Sequence, residues 1–143
     1  MSSNNLKSDL EGLENLLSNL ENIDGSKIVF GVTEESDQEY PDNDINTASV
    51  GAIHEYGWGD QTEKAWLRRA SSKGESREII KKALPEAERF IKEGVKTDKA
   101  DTEPLLETIR FNAEKRAKDS IRQDELIDTG LLIKTVVGEI KED

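Results

Sequence analysis

Leu6, Leu10, Leu13, Leu16, Leu17 and Leu20 recur at spacings of three and four, drawing one leucine stripe along a helix. The opposite face carries Glu11, Glu14 and Glu21, and Asp24-Gly25 supplies the turn chemistry that ends it. The stripe is expected to meet either the core or a neighbouring subunit. The period then changes from helical to β-branched: Lys27-Ile28-Val29-Phe30-Gly31-Val32-Thr33 predicts a strand, with Gly31 marking a bulge or a close backbone approach. Residues 34–46 are polar and acidic and predict an exposed, mobile loop. Ala48, Val50, Ala52, Ile53 and Tyr56 then predict a short buried helix, capped by Thr47 and ended by Gly57 in a left-handed conformation.

The second half of the chain is mostly helical. Ile79, Ile80, Ala83, Leu84, Ala87, Phe90 and Ile91 keep helical spacing over residues 74–94, but Pro85 lies inside the run. Proline has no amide hydrogen and its ring collides with the preceding turn, so the helix must kink or divide there. Residues 97–103 read as a linker. Thr102 and Pro104 open a further helix to about residue 122, whose apolar edge is Leu105, Leu106, Ile109, Ala113 and Ala117. Residues 133–140 predict a last strand centred on Val136-Val137. The expected fold is α+β: a small antiparallel sheet packed with several helices, in which residues 1–25 form an N-terminal amphipathic helix and residues 26–143 a single domain.

Composition narrows what such a fold does. At 143 residues, 34% hydrophobic and 36% charged, the chain supports one thinly cored domain and invites burial against other subunits. It has no cysteine and one histidine, which removes thiolate metal sites and most histidine-based chemistry. No apolar run approaches the ~18 residues of a membrane span. Met1-Ser2-Ser3-Asn4-Asn5 has neither the basic nor the apolar part of a signal peptide, so synthesis in the cytoplasm is expected. The net charge of −11 is lopsided: up to Lys64 there are 14 acidic and 3 basic residues, whereas from Ala65 onward there are 17 of each. An acidic surface of this kind repels duplex DNA. It serves solubility, lines a passage through which DNA slides, or docks on a basic partner.

The residue groupings that suggest chemistry are weak. Asp128-Thr129-Gly130 follows two aliphatic residues, as the active-site triplet of aspartic proteases does, but only 13 residues follow Gly130 and the chain before it is helical. A turn shaped by the aspartate side chain and by glycine's backbone freedom is the simpler expectation. The acidic loop lacks the alternating ligands, central glycine and terminal glutamate of an EF-hand. His54 and Glu55 are adjacent, so on a helix they point about 100° apart and make no acid–base pair. Trp66 and Arg68 are of the types enriched in interface hot spots, and either a stacked Trp–Arg pair at a subunit contact or ordinary anchoring of the loop to the core is expected. No catalytic residue, metal ligand or cofactor site is assigned.

Two segments carry more than their composition. Ala52-Ile53-His54-Glu55-Tyr56-Gly57, followed by Ala65-Trp66-Leu67-Arg68-Arg69-Ala70, and then Leu126-Ile127-Asp128-Thr129-Gly130-Leu131-Leu132, occur in this order around a helical middle. Together with Phe30-Gly31-Val32 the arrangement resembles the neck and tail-completion proteins of tailed bacteriophages. In that family a Val-Gly-Val/Ile strand precedes an Ala-x-x-x-Glu-φ-Gly stretch, then Pro-x-Arg-Pro-Phe-Leu-Arg, helices, and Pro-Leu-Ile-Asp-Thr-Gly-x-Leu leading into a final strand. Here the alanine-to-glutamate spacing is one residue shorter, the prolines are absent and Trp66 replaces phenylalanine. The resemblance spans roughly residues 27–140.

The resemblance implies a non-enzymatic virion protein at the head–tail junction, made in the host cytoplasm, which assembles with itself into a ring (often sixfold in the family). Its partners would be tail-tube or sheath proteins and head-side connector or adaptor proteins, with DNA passing through the lumen without sequence-specific binding. Glu55, Tyr56, Gly57, Trp66, Leu67 and Arg68 are expected to supply packing and contacts. Asp128, Thr129 and Gly130 are expected to shape the turn before the last strand. The alternative is an acidic module that binds or inhibits one basic protein. No membrane association is expected.

Overall fold

The computed structural model describes residues 3–41, 44–59, 63–123 and 130–142. In chain order the elements are α1 (Ser3–Asp24), β1 (Ser26–Val32), α2 (Thr47–Tyr56), α3 (Trp66–Ala70), α4 (Lys73–Lys81), α5 (Leu84–Lys96), α6 (Glu103–Gln123), α7 (Gly130–Thr135) and β2 (Val136–Glu142). The strands pair antiparallel, with Ile28 opposite Ile140, Phe30 opposite Gly138 and Val32 opposite Val136. A two-stranded ribbon alone is marginal in water. Here α6 supports it: a Cβ on Gly138 would lie 2.9 Å from the Arg110 carbonyl oxygen, so only glycine lets β2 approach the helix backbone so closely. The α6 helix also packs against β1, α3, α4 and α5 and is the central beam of the fold. The molecule is therefore α+β with a small antiparallel sheet, as the periodicity predicts.

The core is compact and sits where α3, α6, α7 and β2 converge. Trp66, Ala70, Ala117, Ile121, Leu132 and Val136 are buried together, with Phe30, Val32, Val50, Leu67 and Ile133 packed around them. Small residues at Ala70 and Ala117 let the helices come close enough for one tryptophan and three larger aliphatics to fill the space. No helix among the described residues is long and apolar enough to cross a membrane.

Proline divides the long central helix as expected. One half ends at Lys81, and the next begins at Leu84 with Pro85 in its first turn, where the missing amide hydrogen costs nothing. Two local expectations need correction. Thr47 does not cap α2. The cap is Asn46, whose side chain accepts from the Ser49 amide at 2.9 Å, while Thr47 is buried. Residues 133–135 are helical rather than extended, because α7 continues to Thr135, where its hydroxyl donates back to the Leu132 carbonyl at 2.9 Å.

The described residues of the acidic loop are tied down by hydrogen bonds. Thr33 and Ser36 close a local turn, Glu39 bridges to Asn46, and the Tyr40 amide donates to the Ile45 carbonyl at 2.9 Å. The Asp37 carboxylate ties the loop to α2, accepting from the Ala48 amide at 2.9 Å and the Thr47 hydroxyl at 2.8 Å. The Ala48 amide first, then the Thr47 hydroxyl, holds the Asp37 carboxyl below its ordinary pKa of 3.8. A folded-state pKa below the unfolded one means the tether contributes fully above pH 3.8 and is lost as pH falls through the depressed value. Asp37→Asn is expected to flatten this part of the acid limb in stability measured against pH. An unchanged acid limb would show that the tether contributes nothing to folding.

Candidate functional site

The two segments singled out between residues 52 and 70 come together in space. Helix α2 ends at Gly57, whose φ of 80° is readily accessible only to glycine and whose amide donates to the Ile53 carbonyl at 2.7 Å. The chain then returns so that the Lys64 amide meets the His54 carbonyl at 2.6 Å, and α3 starts beside the end of α2. Ala65, at the start of α3, has no side chain able to cap it. Glu55 does so from the other helix. Its carboxylate is 3% exposed and accepts from the Leu67 amide at 2.7 Å, the Arg68 amide at 3.0 Å and the Arg68 Nε at 2.7 Å. A buried carboxylate is tolerable when several donors converge on it, and here two backbone amides and a guanidinium do.

Arg68 completes the clamp from outside. It donates to the Glu55 carbonyl at 2.7 Å, pairs with Glu63 at 2.8 Å and lies over the Tyr56 ring at 5.1 Å from its centroid. Its guanidinium pKa is raised above the ordinary value, chiefly by the hydrogen bond to Glu55. Arg68 therefore stacks on Tyr56 and not on Trp66, so of the two expectations it is the anchoring of this segment to the core that is observed. Trp66 points inward instead and donates from Nε1 to the Gly51 carbonyl at 3.0 Å. Leu67 packs against the same core and lines a shallow cleft of about 160 Å³ with Val32, Ala48 and Tyr56.

Glu55, Tyr56, Gly57, Trp66, Leu67 and Arg68 thus form one constellation, with separate tasks. Glu55, Gly57, Trp66 and Leu67 build the corner, while Tyr56 and Arg68 face solvent. Asp128 and Thr129 lie outside the described residues. Gly130 is the first residue of α7, not a turn feeding directly into the last strand. A Cβ there would meet nothing within 4 Å, so close packing is not what asks for glycine at this position. Its helix does reach the constellation, because Leu132 packs where Gly51 leaves room.

Sequence reasoning missed three contributors. Gly51 sits inside α2, and a Cβ there would lie 3.2 Å from Trp66 and 3.3 Å from Leu132; a lone glycine inside a helical pattern was the available signal. Ser120, fully buried, donates to the Trp66 carbonyl at 2.7 Å, and its own carbonyl accepts from Arg69 at 2.8 Å. No sequence signal marks it, since its partners are more than fifty residues away. Trp58 is 76% exposed beside Tyr56, which is 68% exposed. Tyr56, Trp58 and Arg68 are of residue types enriched in interface hot spots. Among the described residues no group of three or more histidine, aspartate or glutamate side chains could hold a metal ion. Compared with protein-family models, curated proteins and solved structures, the chain finds no match.

Proposed function

We propose that this chain is a structural, non-enzymatic subunit of the tailed-phage head–tail junction, of the neck or tail-completion kind, and that it assembles into a ring which joins or terminates the tail and lets DNA pass. The observation that carries this reading is the corner between α2 and α3. The residues that resemble the family signature are those that fix a rigid platform, and the platform presents Tyr56, Trp58 and Arg68 to a partner. The lopsided charge supports it as well. An acidic first half facing the lumen would let DNA slide without adhering.

The test is native mass and negative-stain imaging of the purified protein, alone and mixed with tail tubes. A ring, or a cap on tube ends, is the expected result and supplies the symmetry. A protein that stays monomeric and ignores both tubes and heads rejects the reading. The charge of −11 favours one other class, an acidic module for a basic protein partner. That module would bind one partner at fixed stoichiometry, lose affinity steeply as salt rises and form no ring.

A further inference from the structure

Helix α1 is docked by the face that amphipathic helices usually turn to water. Gly12 lies against Val95, and a Cβ there would be 2.9 Å from the valine side chain. Asn15 donates to the Val95 carbonyl at 3.2 Å. Asn19, fully buried, donates to the Gly94 and Thr97 carbonyls at 3.0 and 2.7 Å and accepts from the Ala100 amide at 3.0 Å. It thereby satisfies backbone groups at the end of α5 that have no intrahelical partner. The leucines are left outside: Leu6, Leu10, Leu13, Leu17 and Leu20 are each 44–60% exposed. Their spacing of four, three, four and three is the 3.5-residue period of a seam that receives another helix.

The flanks of the seam say what covers it. From Ser3 to Asp24 the helix carries Asp9, Glu11, Glu14, Glu21 and Asp24 against Lys7 alone. An anionic membrane surface is therefore disfavoured. A second α1, in parallel or antiparallel register, would bring five further acids to the seam with only its Lys7 to offset them. The complementary surface lies elsewhere on the same chain. Beyond the Val95 contact with α1, Ile80 on α4 and Leu84 and Ile91 on α5 are 48–56% exposed. From Lys73 to Lys96 there are seven basic residues against five acidic ones, and Lys81, Lys82, Arg89, Lys92 and Lys96 are exposed. An acidic leucine seam and a basic aliphatic stripe match in both shape and charge.

We infer that the α1 seam of one subunit docks on the α4–α5 stripe of a second copy. Within one chain α1 meets the end of α5 through Gly12, Asn15 and Asn19, which leaves the leucine seam largely exposed. Seam and stripe are different surfaces, so the contact is head-to-tail: it closes a ring, or a pair of subunits exchanges two such contacts. The inference rests on the oligomeric part of the function proposed above and on nothing specific to tails.

The experiment is sedimentation and native mass on the full chain at high micromolar concentration, with buried-Trp66 fluorescence and helicity confirming folding. The wild-type protein is expected to be oligomeric, and Leu13→Glu with Leu17→Glu monomeric. Glu14→Lys with Glu21→Lys, and separately Lys92→Glu with Lys96→Glu, are each expected to weaken association by roughly ten-fold or more. Combining the two charge reversals is expected to restore it. A monomeric wild-type protein overturns the inference. So does an oligomer indifferent to the leucine pair, or a combined reversal that restores nothing. An oligomer that depends on the seam yet ignores tail tubes keeps this contact and rejects the junction reading. A seam-ablated protein that still assembles and caps tubes does the reverse.

Discussion

Replacing Glu55 with alanine is expected to cost about 3 kcal/mol of folding stability, because it leaves several donors unmet in a largely dry corner. The Leu67 and Arg68 amides both lose their acceptor, and α3 loses the side chain that caps it. For a chain of this length the loss corresponds to roughly 10 °C in Tm. The controls locate the effect. Glu55→Gln keeps one oxygen for one amide but sets an amide hydrogen against the other, and so recovers only part of the loss. Arg68→Ala is expected to be far milder, at about 1 kcal/mol or less, because that side chain is half exposed and water replaces its partners. Urea unfolding of the three variants is the measurement. If Glu55→Ala and Arg68→Ala cost the same, the surface ion pair rather than the buried cap is what matters.

That ranking was not legible in the sequence, although Glu55 itself stood out. A glutamate at the end of a short helix looks like a surface residue. What makes it structural is the return of the chain that brings the Leu67 amide to it, twelve residues on. Features decided within a few residues were legible. These include the division of the long helix at Pro85, the end of α1 before Gly25, the end of α2 at Gly57 and the strand character of β1. Features decided by tertiary packing were not. Residues 133–135 are rich in β-branched side chains and read as strand, yet α7 holds them helical because Leu132 and Val136 must both reach the core. The leucines of α1 announce a helix and a buried face, but not that Asn19 and Gly12 would turn that face outward. The same limit applies to the contact surface. Tyr56 and Arg68 were identifiable by type, whereas the stack between them, and the inward turn of Trp66, depend on the angle between α2 and α3.

Truncating Trp66 to alanine is expected to have the larger effect, about 4 kcal/mol, from the void it leaves and the transfer energy it forfeits. Trp66 is 2% exposed and is the largest buried side chain in a core otherwise made of alanines and a few aliphatics. The surroundings have little freedom to collapse, because Gly51 and Leu132 already sit against the indole and Ser120 pins the Trp66 carbonyl. Against a total stability of about 5–15 kcal/mol for a domain of this kind, the loss places the variant near the edge of folding. Trp66→Phe keeps most of the ring volume but gives up the bond to the Gly51 carbonyl, and about 1–2 kcal/mol is expected. Fluorescence separates the fold from its surface, since the chain has one buried tryptophan and one that is 76% exposed. Trp58→Phe should leave a blue, weakly quenched emission and full stability, while Trp66→Phe leaves only the red, solvent-exposed signal of Trp58. Because Trp58 belongs to the proposed contact surface and Trp66 is buried in the core, the two variants also divide the proposed function from folding. On the proposed function Trp58→Ala should weaken assembly or partner binding at unchanged Tm, whereas a Trp58→Ala protein that assembles normally would remove Trp58 from the proposed contact surface.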